Sequence, residues 1–311
     1  MKATGVALLL GIVLVLFHGC GNAPAKSTRM EVCASLFPVA EWAREVVGPD
    51  ATVHLLEGAG GGPHTFSPSM QDIVLIGRAK ALLVIGLGLD PWALRAVAGS
   101  SAGGGVELLE VGTWVLRRKM GGGGHAHEDH AHHEHAHAHP ESGEDPHVWL
   151  DPERAAKIVV RMGEEFARLD ATHAEGYRAR AKAYAAKLVA LAQELDTQGQ
   201  SLKGKQLITQ HDAYGYLFER FGVTLAGVIQ VSPNLEPSAK DVSEAVRRMK
   251  ELGQKVVFSE PGREASSQVL AETLGGKVVV LDNLEMRTSP YGTSYAERLK
   301  HNVKMLVENL P

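Results

Sequence analysis

Four segments of this 311-residue chain place a metal-binding residue type at the end of a predicted strand or in the following loop. These residues are His64, His147, His211 and Asp282. The segments are the glycine-rich turn 60–68, Asp-Pro-His-Val-Trp-Leu-Asp-Pro (145–152), Thr-Gln-His-Asp-Ala-Tyr-Gly-Tyr (209–216) and Val-Leu-Asp-Asn (280–283). Imidazole nitrogen and carboxylate oxygen are common protein ligands for zinc. One such residue alone is more often a capping or surface group, so the fold must bring the four together.

Another set of histidines forms a low-complexity segment, residues 121–143. Eight of the 15 histidines in the chain lie in it: His125, His127, His130, His132, His133, His135, His137 and His139. Such a composition cannot form a core, so we predict a mobile loop. Flexible imidazoles can bind several ions weakly, because each ion must order the chain around it. We expect a secondary, low-affinity metal element that scavenges, delivers or senses; the alternative is a solvated linker.

Strand-like and helix-like patterns alternate along the rest of the chain. Short apolar runs predict strands at 31–37, 52–56, 81–85 and 106–110, and again at 206–209, 223–229, 255–259 and 277–281. Helical patterns lie between them, which indicates an α/β fold with two (β/α)4-like lobes and parallel sheets. Ligands collect outside the carboxyl ends of strands in such sheets. Facing loops from two lobes would form a cleft there.

Two features support the division into lobes. Pro-Ser-Met-Gln-Asp-Ile (68–73) parallels Pro-Ser-Ala-Lys-Asp-Val (237–242), and each pattern opens a helix with an acidic residue in its first turn. An apolar stripe at steps of three and four predicts one long helix over 172–199 that joins the lobes as a rigid strut. The alternative is a surface helix packed on one lobe. We therefore predict an N-terminal lobe at 30–171 and a C-terminal lobe at 200–311.

The first 19 residues have the pattern of an export signal. Lys2 precedes an apolar run of 12 residues (6–17), which is too short to span a bilayer. Leu-Phe-His-Gly-Cys (16–20) resembles a lipoprotein cleavage site, so we expect Cys20 to carry the lipid anchor and 20–29 to be a tether. Ordinary cleavage that discards Cys20 is the alternative. Only Cys33 then remains besides it, which excludes a disulfide framework and favours a buried, inert thiol.

The whole mature chain resembles the zinc and manganese solute-binding proteins of ATP-driven (ABC-type) importers. The motifs at 145–152 and 211–216 carry the resemblance most specifically, and the histidine-rich insert stands between the first two metal-type segments. The resemblance implies that His64, His147 and His211 each donate a nitrogen and that Asp282 donates a carboxylate. Family members often have proline after that aspartate, whereas this chain has Asn283.

Three imidazoles and one carboxylate suit four-coordinate Zn²⁺ and disfavour Ca²⁺ and Mg²⁺, which prefer oxygen. Manganese relatives tend to replace the third histidine by a carboxylate, so His211 favours zinc, with manganese as the alternative. Glu260 is a candidate to accept a hydrogen bond from a ligand. Asp145 or Asp212 could orient an imidazole or cap a turn.

The predicted function is therefore zinc capture outside the cytoplasm, in the periplasm or at the cell surface, with delivery to a membrane permease. We expect a monomer and no catalysis, since four protein ligands leave no position for an activated water. The net charge of −4 gives no sign of a nucleic-acid partner. Two alternatives remain: a secreted zinc hydrolase with Asp282 as general base, and a surface metal buffer or adhesin without a transporter.

Overall fold

The computed structural model describes residues 29–56, 62–99, 105–120, 143–230 and 237–310. The predicted signal peptide, Cys20 and the histidines of 125–139 lie outside the described residues.

Each lobe contains a sheet of four parallel strands. In the first sheet the order is β2-β1-β3-β4, with β1 Met30–Ala34, β2 Ala51–Leu55, β3 Ala81–Val84 and β4 Glu107–Glu110. In the second sheet the order is β6-β5-β7-β8, with β5 Gln206–Thr209, β6 Thr224–Val228, β7 Val256–Ser259 and β8 Lys277–Val280. Both sheets therefore repeat one strand order. All four residues of β3 are buried, as expected for a parallel strand covered on both faces.

The helices of the described chain lie between and after these strands. Their bounds are α1 Phe37–Val47, α2 Met70–Arg78, α3 Ala93–Gly99, α4 Pro152–Leu169, α5 Ala174–Gln198, α6 Gly215–Phe221, α7 Ala239–Glu251, α8 Glu264–Leu274 and α9 Tyr295–Asn309. Ser69 and Ser238 cap α2 and α7 with the same reciprocal capping box, each with an aspartate three residues on. The structure thus confirms the helix starts that the repeated sequence pattern predicts.

The long helix α5 has 25 residues and is about 38 Å long at 1.5 Å per residue. It packs against α1 and α4 of the N-terminal lobe and against α9 of the C-terminal lobe. The prediction of two (β/α)4-like lobes joined by one long helix is confirmed. One hydrophobic core runs through both lobes and includes Trp42, Tyr177, Phe218 and Leu299. The boundaries at 30–171, 172–199 and 200–311 stay a prediction.

Cys33 lies in β1 and is fully buried. Burial raises the pKa of its thiol to about 12, so the thiolate does not form at neutral pH. No helix within the described ranges combines the length and apolar character needed to cross a membrane.

Candidate metal centre

Three histidines, contributed by both lobes, meet in the loops beyond the carboxyl ends of the strands. His64 lies in a 3-10 turn, Pro63–Thr65, that follows β2. His147 directly precedes the buried 3-10 turn Val148–Leu150, and His211 follows β5. Thr209 fixes the backbone of His211 by donating a hydrogen bond from Oγ1 to the His211 carbonyl (2.7 Å).

The three imidazoles form a nearly equilateral triangle. Their ring centroids are 5.5 Å apart for His64 and His147, and 5.3 Å apart for each of the other two pairs. One nitrogen of each ring lies within 4.8 Å of the nitrogens of the others. Tetrahedral zinc with Zn–N bonds near 2.0 Å needs nitrogens about 3.3 Å apart, so small shifts suffice. Within the described part of the chain, these three histidines form the group of metal-binding side chains whose ligand atoms are close enough to share one ion.

Carboxylates hold two of the rings through their Nδ1 atoms. Asp145 Oδ1 lies 2.7 Å from His147 Nδ1 and also accepts the backbone N–H of His147 (2.9 Å). Glu260 Oε1 lies 3.1 Å from His211 Nδ1. On the sequence alone, Glu260 is a candidate for a hydrogen bond of this kind. A carboxylate on Nδ1 fixes the tautomer and leaves Nε2 as the donor toward a metal. Nε2 of His147 and of His64 has no hydrogen-bond partner among the described residues.

The sequence left open whether Asp145 or Asp212 orients an imidazole, and the structure places Asp145 on His147. Arg118 Nη1 lies 2.5 Å from the second oxygen of Asp145. Burial opposes the charge of Asp145, but the bonds from His147 and the charge of Arg118 keep its pKa below the usual value. Asp212 is buried beside them, and neither of its oxygens has a hydrogen-bond partner within the described ranges. Burial, with the charge of Asp145, raises the pKa of Asp212.

Asp282 lies outside the histidine group. Its Oδ1 accepts the N–H of Leu284 (2.8 Å), and its Oδ2 accepts the hydroxyl of Ser289 (2.5 Å). Arg298 Nε lies 3.7 Å from the same Oδ2. The carboxylate of Asp282 is thus engaged within its own loop and with α9, and this geometry does not favour the ligand role that the resemblance implies.

Glu285 takes the acidic position beside the imidazoles. Its Oε1 lies 3.9 Å from His64 Nε2, its side chain is 7% exposed, and Oε1 has no hydrogen-bond partner in the described chain. Burial and the nearby charge of Glu260 raise the pKa of Glu285 to about 8. The sequence-based prediction did not include this residue, because it considered only the aspartate that follows the strand. The signal was present, since Glu285 stands three residues further along the same loop.

The electrostatics favour the uncharged forms of His64 and Glu285. Burial lowers the pKa of His64 to about 2, and the charges of His147 and His211 act in the same direction. Burial also disfavours charge on His211, but its hydrogen bond to Glu260 outweighs that effect and raises its pKa. A buried site with unpartnered nitrogens and an unpartnered carboxyl oxygen is suited to a cation that replaces the missing partners.

The remaining described histidines have other partners. His54 lies 3.4 Å from Glu31, His173 lies 2.6 Å from Asp170, and His301 Nε2 lies 3.1 Å from the carbonyl of Val280. None of them belongs to the histidine group.

Comparison with known proteins points to one family. The family ZnuA, described as the periplasmic component A of the zinc-uptake complex, matches residues 32–309. A zinc-binding protein AdcA of Streptococcus pyogenes is 31% identical over 289 residues, covering 89% of this chain and 55% of AdcA. The high-affinity zinc uptake system protein ZnuA of Bacillus subtilis is 30% identical, covering 97% of this chain and 96% of that protein. The chain spans about half the length of the streptococcal AdcA proteins.

Solved structures agree with this likeness. The Zn(II)-bound ZnuA-like domain of AdcA from Streptococcus pneumoniae superposes with a TM-score of 0.73 at 25% identity, covering 91% of this chain and 99% of that domain. The laminin-binding protein of Streptococcus agalactiae, titled an adhesin with metal transporting activity, gives a TM-score of 0.74 at 27% identity, covering 91% and 100%.

Proposed function

This chain belongs to the ZnuA family of periplasmic zinc-uptake components, and from that premise we propose that it captures Zn²⁺ outside the cytoplasm and delivers it to an ATP-driven importer. The observation that carries the proposal is the triangle of imidazoles, two of them buried and that of His64 partly buried, in which Nε2 of His64 and of His147 lacks a hydrogen-bond partner among the described residues. Relatives named for zinc binding and zinc uptake, at 30% and 31% identity, support it.

In this proposal the zinc ion is cargo and is held by His64, His147, His211 and Glu285. The first three each offer an imidazole nitrogen, and Glu285 offers an unpartnered oxygen 3.9 Å from His64 Nε2. Glu285 takes the place that the sequence assigned to Asp282, because the carboxylate of Asp282 is already bonded to Leu284 and Ser289. Asp145 and Glu260 orient two of the rings from behind.

Zinc is the preferred cargo because the shell has three nitrogens and one oxygen. At nitrogen-rich sites Zn²⁺ binds more tightly than Mn²⁺. Manganese is the second candidate of the same transporter type, since the family that the sequence resembles includes manganese-binding members.

The partner, the location and the assembly state belong to the same proposal. We propose a membrane permease as the receiver, export by residues 1–19, a lipid anchor on Cys20 and a monomeric protein. The histidine-rich segment would bind further zinc weakly.

A hydrolase that uses the same histidines is disfavoured. That reading needs Asp282 as general base beside a metal-bound water. Instead, the Asp282 carboxylate faces Leu284 N, Ser289 Oγ and Arg298, at 2.8, 2.5 and 3.7 Å. We therefore propose that the chain binds and releases its metal without catalysis.

The test is metal identity and stoichiometry in the chain lacking residues 121–142, measured by chelator competition with Zn²⁺, Mn²⁺, Co²⁺ and Ni²⁺. We expect one tight site that prefers Zn²⁺. His211→Ala should weaken zinc binding more than about 100-fold, since even residues behind the ligands are worth 10–100-fold. His173→Ala is the matched control, because His173 pairs with Asp170 away from the site. Zinc affinity unchanged by His211→Ala would refute the ligand assignment.

A further inference from the structure

The two ends of the histidine-rich segment are paired beside the metal centre. The N–H of Met120 donates to the carbonyl of Gly143 (2.8 Å), and the N–H of Asp145 donates to the carbonyl of Arg118 (2.9 Å). Lys119 and Glu144 form an antiparallel bridge between these bonds. We call residues 117–120 and 143–145 the paired ends. Asp145 therefore belongs both to the paired ends and to the carboxylate behind His147.

Arg118 connects these two roles of Asp145. From one of the paired ends, its Nη1 reaches Asp145 Oδ2 at 2.5 Å, while Asp145 Oδ1 holds His147 Nδ1 at 2.7 Å. Asp145 and His147 have fully buried side chains, and Arg118 is 22% exposed. Because Asp145 cannot turn to water for a substitute partner, the guanidinium of Arg118 determines where its carboxylate lies.

The C-terminal lobe holds Arg118 in this position. Tyr216 Oη accepts the N–H of Arg118 (3.1 Å) and donates to the carbonyl of Asp145 (2.9 Å). The guanidinium also lies 5.6 Å from the centre of the Tyr216 ring. Gly215 leaves the space for it, since a Cβ there would stand 1.5 Å from Arg118 Nη1. These contacts join the paired ends, the metal centre and helix α6.

We propose that Arg118 is a positioning residue for zinc binding, which sets the Asp145–His147 pair and connects the paired ends of the histidine-rich segment to the metal centre. The inference rests on the proposed function. Removing the guanidinium frees the Asp145 carboxylate, and the His147 ring then loses its fixed tautomer and orientation. Zinc leaves such a site faster than it leaves the native one.

The experiment compares Arg118→Met with Arg117→Met in the full mature chain, with Zn²⁺ as the probe and chelator competition as the measurement. Arg117 is the matched control. It belongs to the same paired ends, but its guanidinium donates to Glu144 (3.1 Å) and not to Asp145. We expect Arg118→Met to lower zinc affinity about 10- to 100-fold, chiefly through faster release. Arg117→Met should stay within about twofold, because exposed ion pairs contribute little.

Two further measurements separate positioning from general loss of structure. Nitrogen-15 NMR of the metal-free protein should show His147 as the Nδ1–H tautomer in the wild type and as a mixture in Arg118→Met, with partial recovery in Arg118→Lys. If Arg118→Met fails to fold, Gly215→Ala keeps the arginine but displaces its guanidinium from Asp145, whose Oδ2 would itself lie 2.9 Å from the added Cβ, and the same loss is expected. Unchanged zinc affinity in the folded Arg118→Met or Gly215→Ala protein would overturn the inference. A wild-type chain that does not bind zinc tightly would overturn the proposed function instead.

Discussion

At the scale of single residues, the loop after β8 decides which carboxylate meets the histidines. Asp282 accepts the N–H of Leu284, and Leu284 has a φ of +60°, a left-handed conformation that is uncommon outside glycine. Across this turn Asp282 faces α9 and Glu285 faces His64. Residue types and order predicted the three histidines and an acidic partner from this segment. They did not predict which acid, because the choice depends on how the loop turns at Leu284 and not on residue type alone.

Replacing the two acids separately tests this distinction. Glu285→Ala should lower zinc affinity strongly and leave the metal-free fold intact, because it removes a buried carboxyl group whose Oε1 has no hydrogen-bond partner among the described residues. Asp282→Ala should instead lower the free energy of unfolding of the metal-free protein by about 1–3 kcal/mol, since the buried N–H of Leu284 loses its partner. Chelator competition and denaturant unfolding measure the two effects. The reverse pattern would restore Asp282 as the ligand.

Zinc affinity should fall with falling pH. The pKa of Glu285 is raised to about 8, so this carboxyl holds its proton at neutral pH in the metal-free protein and zinc must displace it. The raised pKa of His211 adds a second proton at lower pH, whereas His64, with a pKa near 2, adds none. Affinity should fall about tenfold per pH unit for each displaced proton. Calorimetry in buffers of different ionisation enthalpy counts the protons; equal affinity at pH 5 and pH 7.5 would contradict the assignment.

At the scale of elements, the sequence located each strand within a few residues and the starts of α2 and α7 by their caps. Strands and helix starts depend on residues that are neighbours in the chain, so short sequence patterns are enough to predict them. The pairing of 117–120 with 143–145 could not be predicted, because more than 20 low-complexity residues separate the partners. Only the folded chain brings Arg118 to Asp145.

Removing the segment between the paired ends should leave the tight site intact. A deletion of 121–142 that joins Met120 to Gly143 through a short glycine turn keeps the bonds of Arg118 to Asp145. We expect zinc affinity within a few-fold of the wild type and fewer weak sites. A deletion extended through 118–144 should weaken the tight site as Arg118→Met does. Zinc titration of both proteins checks this. Equal zinc affinity in the two would show that the paired ends do not affect the metal centre.

At the scale of the whole molecule, the lobes share a core and are joined by more than the long helix. Helix α9 begins with Tyr295, whose N–H donates to Glu41 of α1 (2.9 Å) and whose hydroxyl donates to the carbonyl of Trp149 (2.6 Å). The sequence predicted two lobes joined by one long helix that acts as a rigid strut. It gave no sign that α9 contacts the N-terminal lobe, since its apolar stripe does not identify the surface it covers.

The shared core predicts one cooperative unfolding transition for both lobes. Differential scanning calorimetry of the metal-free chain should give a single peak with equal calorimetric and van't Hoff enthalpies. Zinc at 100 times its dissociation constant should stabilise the whole chain by about 2.7 kcal/mol, because only the folded state binds it. Two separated peaks would show that the lobes unfold independently.

Trp149 gives this protein a built-in optical reporter. Its ring lies 5.1 Å from that of His147, and its indole N–H donates to the carbonyl of Asn283 (2.8 Å), two residues before Glu285. The indole is fully buried and so shielded from quenchers in the solvent. Because the ring contacts His147 and the loop that leads to Glu285, its emission should change when zinc binds. Stopped-flow fluorescence can then follow zinc binding and release without a dye. Trp149→Phe should abolish that signal. The variant keeps the partly buried Trp114, whose emission serves as the reference.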